Sequence, residues 1–407
     1  MKPKKWIVLI LMAAMWLVPF QAYAAEIMDY KPGMILGKAQ KSTTKFFING
    51  AQVPSVTFNG KLVVFTKDLA SYGFITEWDN ENRSIAITRN LKVNSFKAVK
   101  DTTSSKPINV SNTDIRVFVE NRMIPAFYIG SGTAIYADDL FRYGAISYDT
   151  KLKQQRLLLS KYAVKDMPMY EEVDAHGNSF YYSSLTDNPI AHLKYDVFYY
   201  NRVTKKVESF KESSNLIDAN LPNEATEEWN FWSIAGEDAF WKYVFVGLVF
   251  ETAIDNTNTT LTNPVFNEES KYIKTKYLDY ILMLEKARMS ELTKELKAHG
   301  NKPVKVVESK VEHNDIGVPE LYMTFKNLSA KTVDAFEIEA LCYDAFGRPV
   351  EYPGYGNTYL AQSRSIVLPP GSEDTFVATL DEFMGTAKVE LKVVSVHFTD
   401  GTTWKLK

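Results

Sequence analysis

The chain has 407 residues, 45% hydrophobic and 24% charged, a globular composition long enough for roughly two to four domains. Its 47 basic residues against 49 acidic ones give no electrostatic case for nucleic acid as a partner. A single cysteine, Cys342, excludes any intramolecular disulfide, so hydrophobic cores alone must hold the fold.

The first 25 residues have the layout of a signal peptide. Lys2, Lys4 and Lys5 precede an apolar run from Trp6 to Phe20, and Ala22-Tyr23-Ala24 puts small residues where a signal peptidase reads. No stop-transfer pattern follows, so cleavage after Ala24 or Ala25 and no transmembrane anchor thereafter are expected. Removing those three lysines leaves 44 bases against 49 acids, a net charge of −5. The expected location is extracytoplasmic, secreted or associated with the cell wall.

After a linker over 26–44, the chain repeats itself. Residues 45–92 and 108–161, separated by a linker over 93–107, align at one offset through Pro54/Pro125, Asp68-Leu69/Asp139-Leu140 and Tyr72-Gly73/Tyr143-Gly144. After a one-residue gap, Trp78-Asp79 matches Tyr148-Asp149. Asn49-Gly50 and Asn59-Gly60 between apolar runs signal tight hairpins. Thr66 is placed to cap a short helix over 67–72, with Gly73 ending it in the left-handed conformation. Phe74 to Trp78 and Arg83 to Thr88 then read as a second hairpin around Asp79-Asn80-Glu81-Asn82. Trp78 shares a strand face with Phe74 and Thr76, which predicts packing on the small core; the alternative is an exposed Trp78 that stacks on sugar. Asp138-Asp139 falls at a short helix start, where capping accounts for it.

The opening "ING…V", the "DLA…YGF" helix and stop, and "EWDNENRSIAI" resemble the copper amine oxidase N-terminal-like, or stalk, domain of exported bacterial proteins. The second copy is degenerate, with Glu120-Asn121 where Asn49-Gly50 stands. The resemblance implies a structural module and no oxidase activity, because that chemistry belongs to a different domain whose cofactor motif and copper ligands have no match here. The five histidines (176, 192, 299, 313, 397) form no metal-ligand spacing, and no metal or cofactor is expected.

The middle region, 162–301, carries no recognised motif. Residues 192–210 read as two strands joined across Arg202 to Lys205, and the apolar run Val244 to Phe250 as a buried helix, with a strand as the alternative. From Asn267 to His299, Tyr277, Ile281, Leu284, Leu292 and Leu296 make one stripe of a long helix that Gly300 and Pro303 end. Docking on its own domain is favoured over a coiled-coil dimer because the stripe is broken at Arg288. Glu171-Glu172, Glu227-Glu228 and Glu237-Asp238 are candidate paired carboxylates of a glycosidase, weighed against acids that are merely solvated or face a helix dipole. Trp229, Trp232 and Trp241 could line a sugar groove or fill a core.

Residues 302–407 read as an all-β domain. Leu321, Met323 and Phe325 alternate inward, as do Phe336, Ile338, Ala340 and Cys342, and the apolar phase slips between Val393 and Val394, predicting a bulge. Asp400-Gly401 makes a closing hairpin, and about seven strands fit an immunoglobulin-like sandwich. "GVPELYMTFKNLSAKTVDAFEIEALCYDAFGRPV" with "FTDGTTW" resembles the DUF5780 family and, more loosely, FxLYD-type sandwiches. That resemblance implies no activity.

The whole is therefore expected to be a multidomain, mainly β protein with a helical middle section. Its expected role is that of a non-catalytic spacer or interaction scaffold of the bacterial envelope. The expected partners are cell-wall glycan or another envelope protein, with Trp78, Trp229 and Trp232 as candidate ligand contacts and no catalytic residue. The alternative is a cell-wall polymer hydrolase with its site in the middle region.

Overall fold

The computed structural model describes residues 30–407 except 94–95, 97, 100–104, 120–121, 160–168, 174–178, 185–189, 216–223 and 229–241. The signal segment thus lies outside the described residues. The described chain divides into two compact units, Tyr30–Arg288 and Met289–Lys407, with the division falling inside the long helix.

In the first unit each copy of the repeat contributes three hairpins with a 3-10 helix before the last. The opening hairpins are Lys45–Ile48 with Ala51–Val53 and Arg116–Val119 with Arg122–Ile124. The middle ones are Ser55–Phe58 with Lys61–Phe65 and Ala126–Ile129 with Gly132–Tyr136. The closing ones are Phe74–Asp79 with Ser84–Arg89 and Gly144–Asp149 with Gln154–Leu159. Asn49-Gly50 and Asn59-Gly60 make their turns with positive φ at both positions, as the hairpin signal requires.

The copies interlock. Both middle hairpins join with Ile35–Lys41 and Ile108–Ser111 into one closed six-stranded barrel. Each opening hairpin then pairs in parallel with the closing hairpin of the other copy: Lys45 sits opposite Gln154, and Arg116 opposite Ser84. The outcome is two matching four-stranded sheets, each built from both halves of the repeat.

Strand alternation divides the barrel wall between two cores. Ala39, Val56, Val63, Phe127 and Ala134 share one core, whereas Leu62, Val64 and Ile135 join Leu69, Tyr72, Leu140 and Tyr143 in the other. The first core continues into the four-stranded antiparallel sheet of Lys206–Asn215, Ile190–Asn201, Tyr243–Asp255 and Thr260–Thr262 and onto the long helix. The run Val244 to Phe250 is therefore strand and not the helix its apolar content favoured. The sheet buries it on both sides of its pleat, and its β-branched and aromatic residues suit that surface. The long helix spans 266–298 with a single π turn at Ile273–Tyr277. Tyr277, Ile281 and Leu284 dock in the core that the barrel of the repeats shares with the neighbouring sheet, so the helix packs beyond the 162–301 region on which docking is expected.

The second unit is the expected sandwich. Strands Val304–His313, Pro319–Asn327 and Glu373–Thr379 form one sheet, and Thr358–Leu368, Val333–Tyr343, Lys388–Phe398 and Thr403–Lys405 the other. Cys342 is buried between them, and burial pushes its thiol pKa up, as for an inert side chain. The register skips Val394, which places the bulge where the apolar phase slips. At the helix end, Asn301 N–H donates to Leu296 O across Gly300, whose φ of 68° closes the C-cap.

Candidate functional site

Two features of the first unit carry chemistry. The first is a charged seam between the second copy and the start of the long helix. Strand Arg122–Ile124 and the 3-10 helix Ala137–Tyr143 present Arg122, Asp139 and Arg142 to Glu269 and Tyr272 of the helix. Glu269 sits 2.6 Å from Arg122 and 2.9 Å from Arg142, and all three are buried. Arg122 also donates to Leu248 O at 3.1 Å, tying the seam to the neighbouring sheet.

Asp139 is 2% exposed and accepts the Tyr272 hydroxyl at 2.8 Å. Its other oxygen has no hydrogen-bond partner, and burial pushes its pKa up to about 7, with Tyr272 and Arg142 opposing that rise. This is more than the capping role its position suggests: no side chain caps that helix, and Asp139 instead faces its neighbour. At the seam's mouth Lys276 pairs with Asp138 at 3.3 Å and Lys61 with Asp279 at 3.4 Å. The crevice lined by Lys61, Pro125, Tyr136, Asp138, Asp139, Tyr272 and Lys276 is about 210 Å³ including its open mouth. The seam's ion pairs join the second copy to the helix, while Asp139 Oδ2 and Arg142 Nη1 stay buried without a hydrogen bond.

A similar hub ties the N-terminal end of this unit. Glu285 accepts from Tyr30 at 2.7 Å and Arg202 at 2.9 Å, and Arg288 donates to its second oxygen at 2.9 Å. Burial would raise its pKa, but the two guanidiniums outweigh that and hold it low.

The second feature is a pair of exposed aromatics. Trp78 is 49% exposed, so the expected packing on the core is not what the structure has. The strand Phe74–Asp79 is buried only at Phe74; by Trp78 it has run past the core and stands free with its turn. The equivalent Tyr148 in the other copy is 56% exposed. Their turns match as well. Asp79 accepts from the Glu81 and Asn82 N–H groups and from the Asn82 amide, and Asp149 accepts from Leu152 N–H. Each turn ends on a residue with positive φ, Arg83 at 47° and Lys153 at 51°. Asp79 is thus the turn-forming residue its sequence context indicates.

The remaining candidates are distributed elsewhere. Trp229, Trp232, Trp241 and Glu237-Asp238 lie outside the described residues. Glu171-Glu172 and Glu227-Glu228 fall in strands and not in helix starts. Met169–Val173 and Glu224–Glu228 flank Ser179–Ser184 in one three-stranded sheet, with Glu172 in register with Tyr181 and Glu227 with Phe180. Two strand spacings put those outer backbones about 10 Å apart. Among the described residues, no three His, Cys, Asp or Glu side chains stand where they could hold a metal ion. His397 Nδ1 lies 2.6 Å from Asp334.

The charged seam was missed from sequence, although a signal exists. At the repeat offset, Arg122 and Arg142 replace Ala51 and Ser71 of the first copy. Long cations at positions that are small in the other copy mark where the second copy meets something acidic.

Comparison with known proteins agrees on one segment. Residues 320–406 match a family of unknown function, DUF5780. No curated protein matches the chain. A hypothetical protein from Peptoclostridium difficile 630 is similar in structure at 16% identity, over 26% of this chain and 87% of that one, with a TM-score of 0.21. Amycolatopsis orientalis exo-chitosanase CsxA is similar at 16% identity over 60% of this chain and 27% of its own, with a TM-score of 0.16. Likeness at that level bears on neither activity nor substrate.

Proposed function

We propose that this chain is a non-catalytic, exported cell-envelope protein, an interaction scaffold whose interlocked stalk-like repeats bind cell-wall glycan. The observation that carries the reading is the pair Trp78 and Tyr148, exposed at matching turns of the two copies. Large aromatics left half in solvent at equivalent places serve contact better than folding, since folding would bury them. The stalk-domain resemblance and the signal-like N-terminus support the location. The buried ion pairs of Glu269 with Arg122 and Arg142, and of Glu285 with Arg202 and Arg288, tie elements of the unit together, which supports a structural use for them. The test is co-sedimentation of the mature protein with isolated cell walls. Binding that saturates is expected; protein left wholly in the supernatant would overturn the reading.

One observation favours a second reading, a hydrolase of wall polymers. The strand register puts Glu171-Glu172 and Glu227-Glu228 on either side of a single central strand. Release of reducing sugar from a panel of glycans, lost on Glu227→Ala or Glu228→Ala with the fold intact, would establish it. Absence of release on every glycan would remove it.

A further inference from the structure

The two ends of the sandwich are unlike. One end receives the helix, whose Glu295 pairs with Lys305 and Lys326. At the opposite end three loops meet, 314–318, 344–357 and 380–387. The third joins the other two: Leu380 N–H donates to Pro319 O beside the first, and Ala387 N–H to Tyr343 O beside the second. Each loop holds large apolar side chains in solvent. Ile316 is 82% and Phe346 84% exposed, the highest values among the described large hydrophobics, with Tyr355 at 61% and Met384 at 54%. The helix end has none on its loops 328–332, 369–372 and 399–402, where Leu328 is buried and Lys331 pairs with Asp400 at 2.8 Å. A single exposed apolar residue needs no explanation, but one or more on every loop of one end marks an interaction surface.

Twin turns hold Ile316 and Phe346 in place. Asn314 Oδ1 accepts from the Ile316 and Val318 N–H groups, and Asp344 Oδ1 from those of Phe346 and Arg348. A glycine with positive φ follows each apolar residue, Gly317 at 79° and Gly347 at 76°. Backbones fixed this way have little conformational freedom left to lose on contact. Charge then sets the kind of partner. The three loops carry Asp315, Asp344, Glu351, Asp381 and Glu382 against one base, Arg348, which pairs with Asp344 at 2.7 Å. Glu382 and Asp381 both act on the Tyr352 hydroxyl, and the Tyr352 ring lies 5.9 Å from Tyr355 and 5.8 Å from Phe383. Acids and exposed rings therefore share one surface.

We propose that this end of the sandwich docks a basic amphipathic segment of another protein. The partner's apolar residues would cover Ile316, Phe346, Tyr355 and Met384, and its lysines or arginines would face the surrounding acids. An anionic lipid surface and the same end of a second copy are the poorer occupants, since each brings negative charge against negative charge. This inference is independent of the glycan reading of the repeats.

The experiment uses the mature full chain with two fluorescein-labelled amphipathic helical probes of one pattern, a leucine–lysine peptide and a leucine–glutamate peptide. The lysine probe is expected to bind about tenfold more tightly or better. Ile316→Ser with Phe346→Ser should weaken it about tenfold. That variant changes no charge, so the loss cannot come from general attraction to an acidic chain. Asp381→Lys with Glu382→Lys should weaken the same probe by a similar factor. All four positions are exposed, so the melting temperature is expected to hold and serves as the folding control. No binding of the lysine probe, equal binding of both probes, or an unchanged affinity in the serine variant would each overturn the proposal. So would binding to phosphatidylcholine or phosphatidylglycerol vesicles, or self-association in sedimentation, that the serine variant abolishes.

Discussion

The two copies of the repeat share their strands, turns and exposed aromatic but not their relation to the rest of the unit. The second copy sets Arg122, Asp139 and Arg142 against the long helix, whereas the first has Ala51, Asp68 and Ser71 at those positions. One copy therefore holds the helix through a buried charged seam, while its twin reaches the helix by apolar packing and the exposed pair Lys61–Asp279. The aligned glycines differ too. Gly73 has φ 80° and ends its 3-10 helix in the left-handed region, while Gly144 is extended and already belongs to the next strand. That difference produces the one-residue gap in the alignment: Gly144 occupies the place of Phe74. A Cβ there would strike the backbone carbonyl of Leu158. Identical letters thus answer two separate demands, positive φ in one copy and space in the other.

The largest effect is expected at the seam. Glu269→Gln removes the carboxylate that serves both Arg122 and Arg142 and leaves two buried cations facing each other. A loss of about 3–5 kcal/mol is expected in urea unfolding of the first unit. Charge reversal at Asp68 in the other copy should cost far less.

Asp139 sharpens the same contrast through pH. Its folded pKa is raised to about 7 from the ordinary aspartate value of about 4, so between those values the folded state holds a proton that the unfolded state has released. Stability therefore falls as pH rises from about 4 to about 7, by on the order of 3 kcal/mol from this group. Asp139→Asn keeps an acceptor for Tyr272 and removes that contribution. The variant should gain on the wild type between about pH 5 and about pH 8 in unfolding midpoints. A constant difference across that range would show the carboxyl to be hydrated.

The glycines come next. Gly144→Ala is expected to cost about 1–3 kcal/mol, since a backbone carbonyl must move. Gly73→Ala should cost about 1–2 kcal/mol, mostly from its left-handed φ, because the nearest obstacle is the movable Arg89 side chain. Thermal unfolding of the two variants ranks them, and the reverse order would break the distinction.

Much of this architecture was legible in the sequence where local chemistry decides it. Asn-Gly turns, the Gly73 cap, the turn opened by Asp79 and the bulge at Val394 follow from residues close in the chain. The interlocking was not, because parallel pairing of Lys45–Ile48 with Gln154–Leu159 joins segments over a hundred residues apart and leaves no mark on either. Val244 to Phe250 was ambiguous for another reason: a short continuous apolar run has no period to distinguish helix from strand. Trp78 was misjudged because alternation shows which face a side chain takes, not how far the core extends beneath it. Of the candidate site, the acid pairs were visible as residues, but their arrangement across one sheet was not.

The central claim is that the paired turns are contact sites and not parts of the core. Replacing both Trp78 and Tyr148 with alanine, at positions about half exposed, should change stability by no more than about 0.5 kcal/mol. The most direct measurement is the co-sedimentation isotherm of this double variant on isolated cell walls. The account predicts that binding is lost while the unfolding transition stays in place. An unchanged isotherm, or a protein that no longer folds, would contradict it.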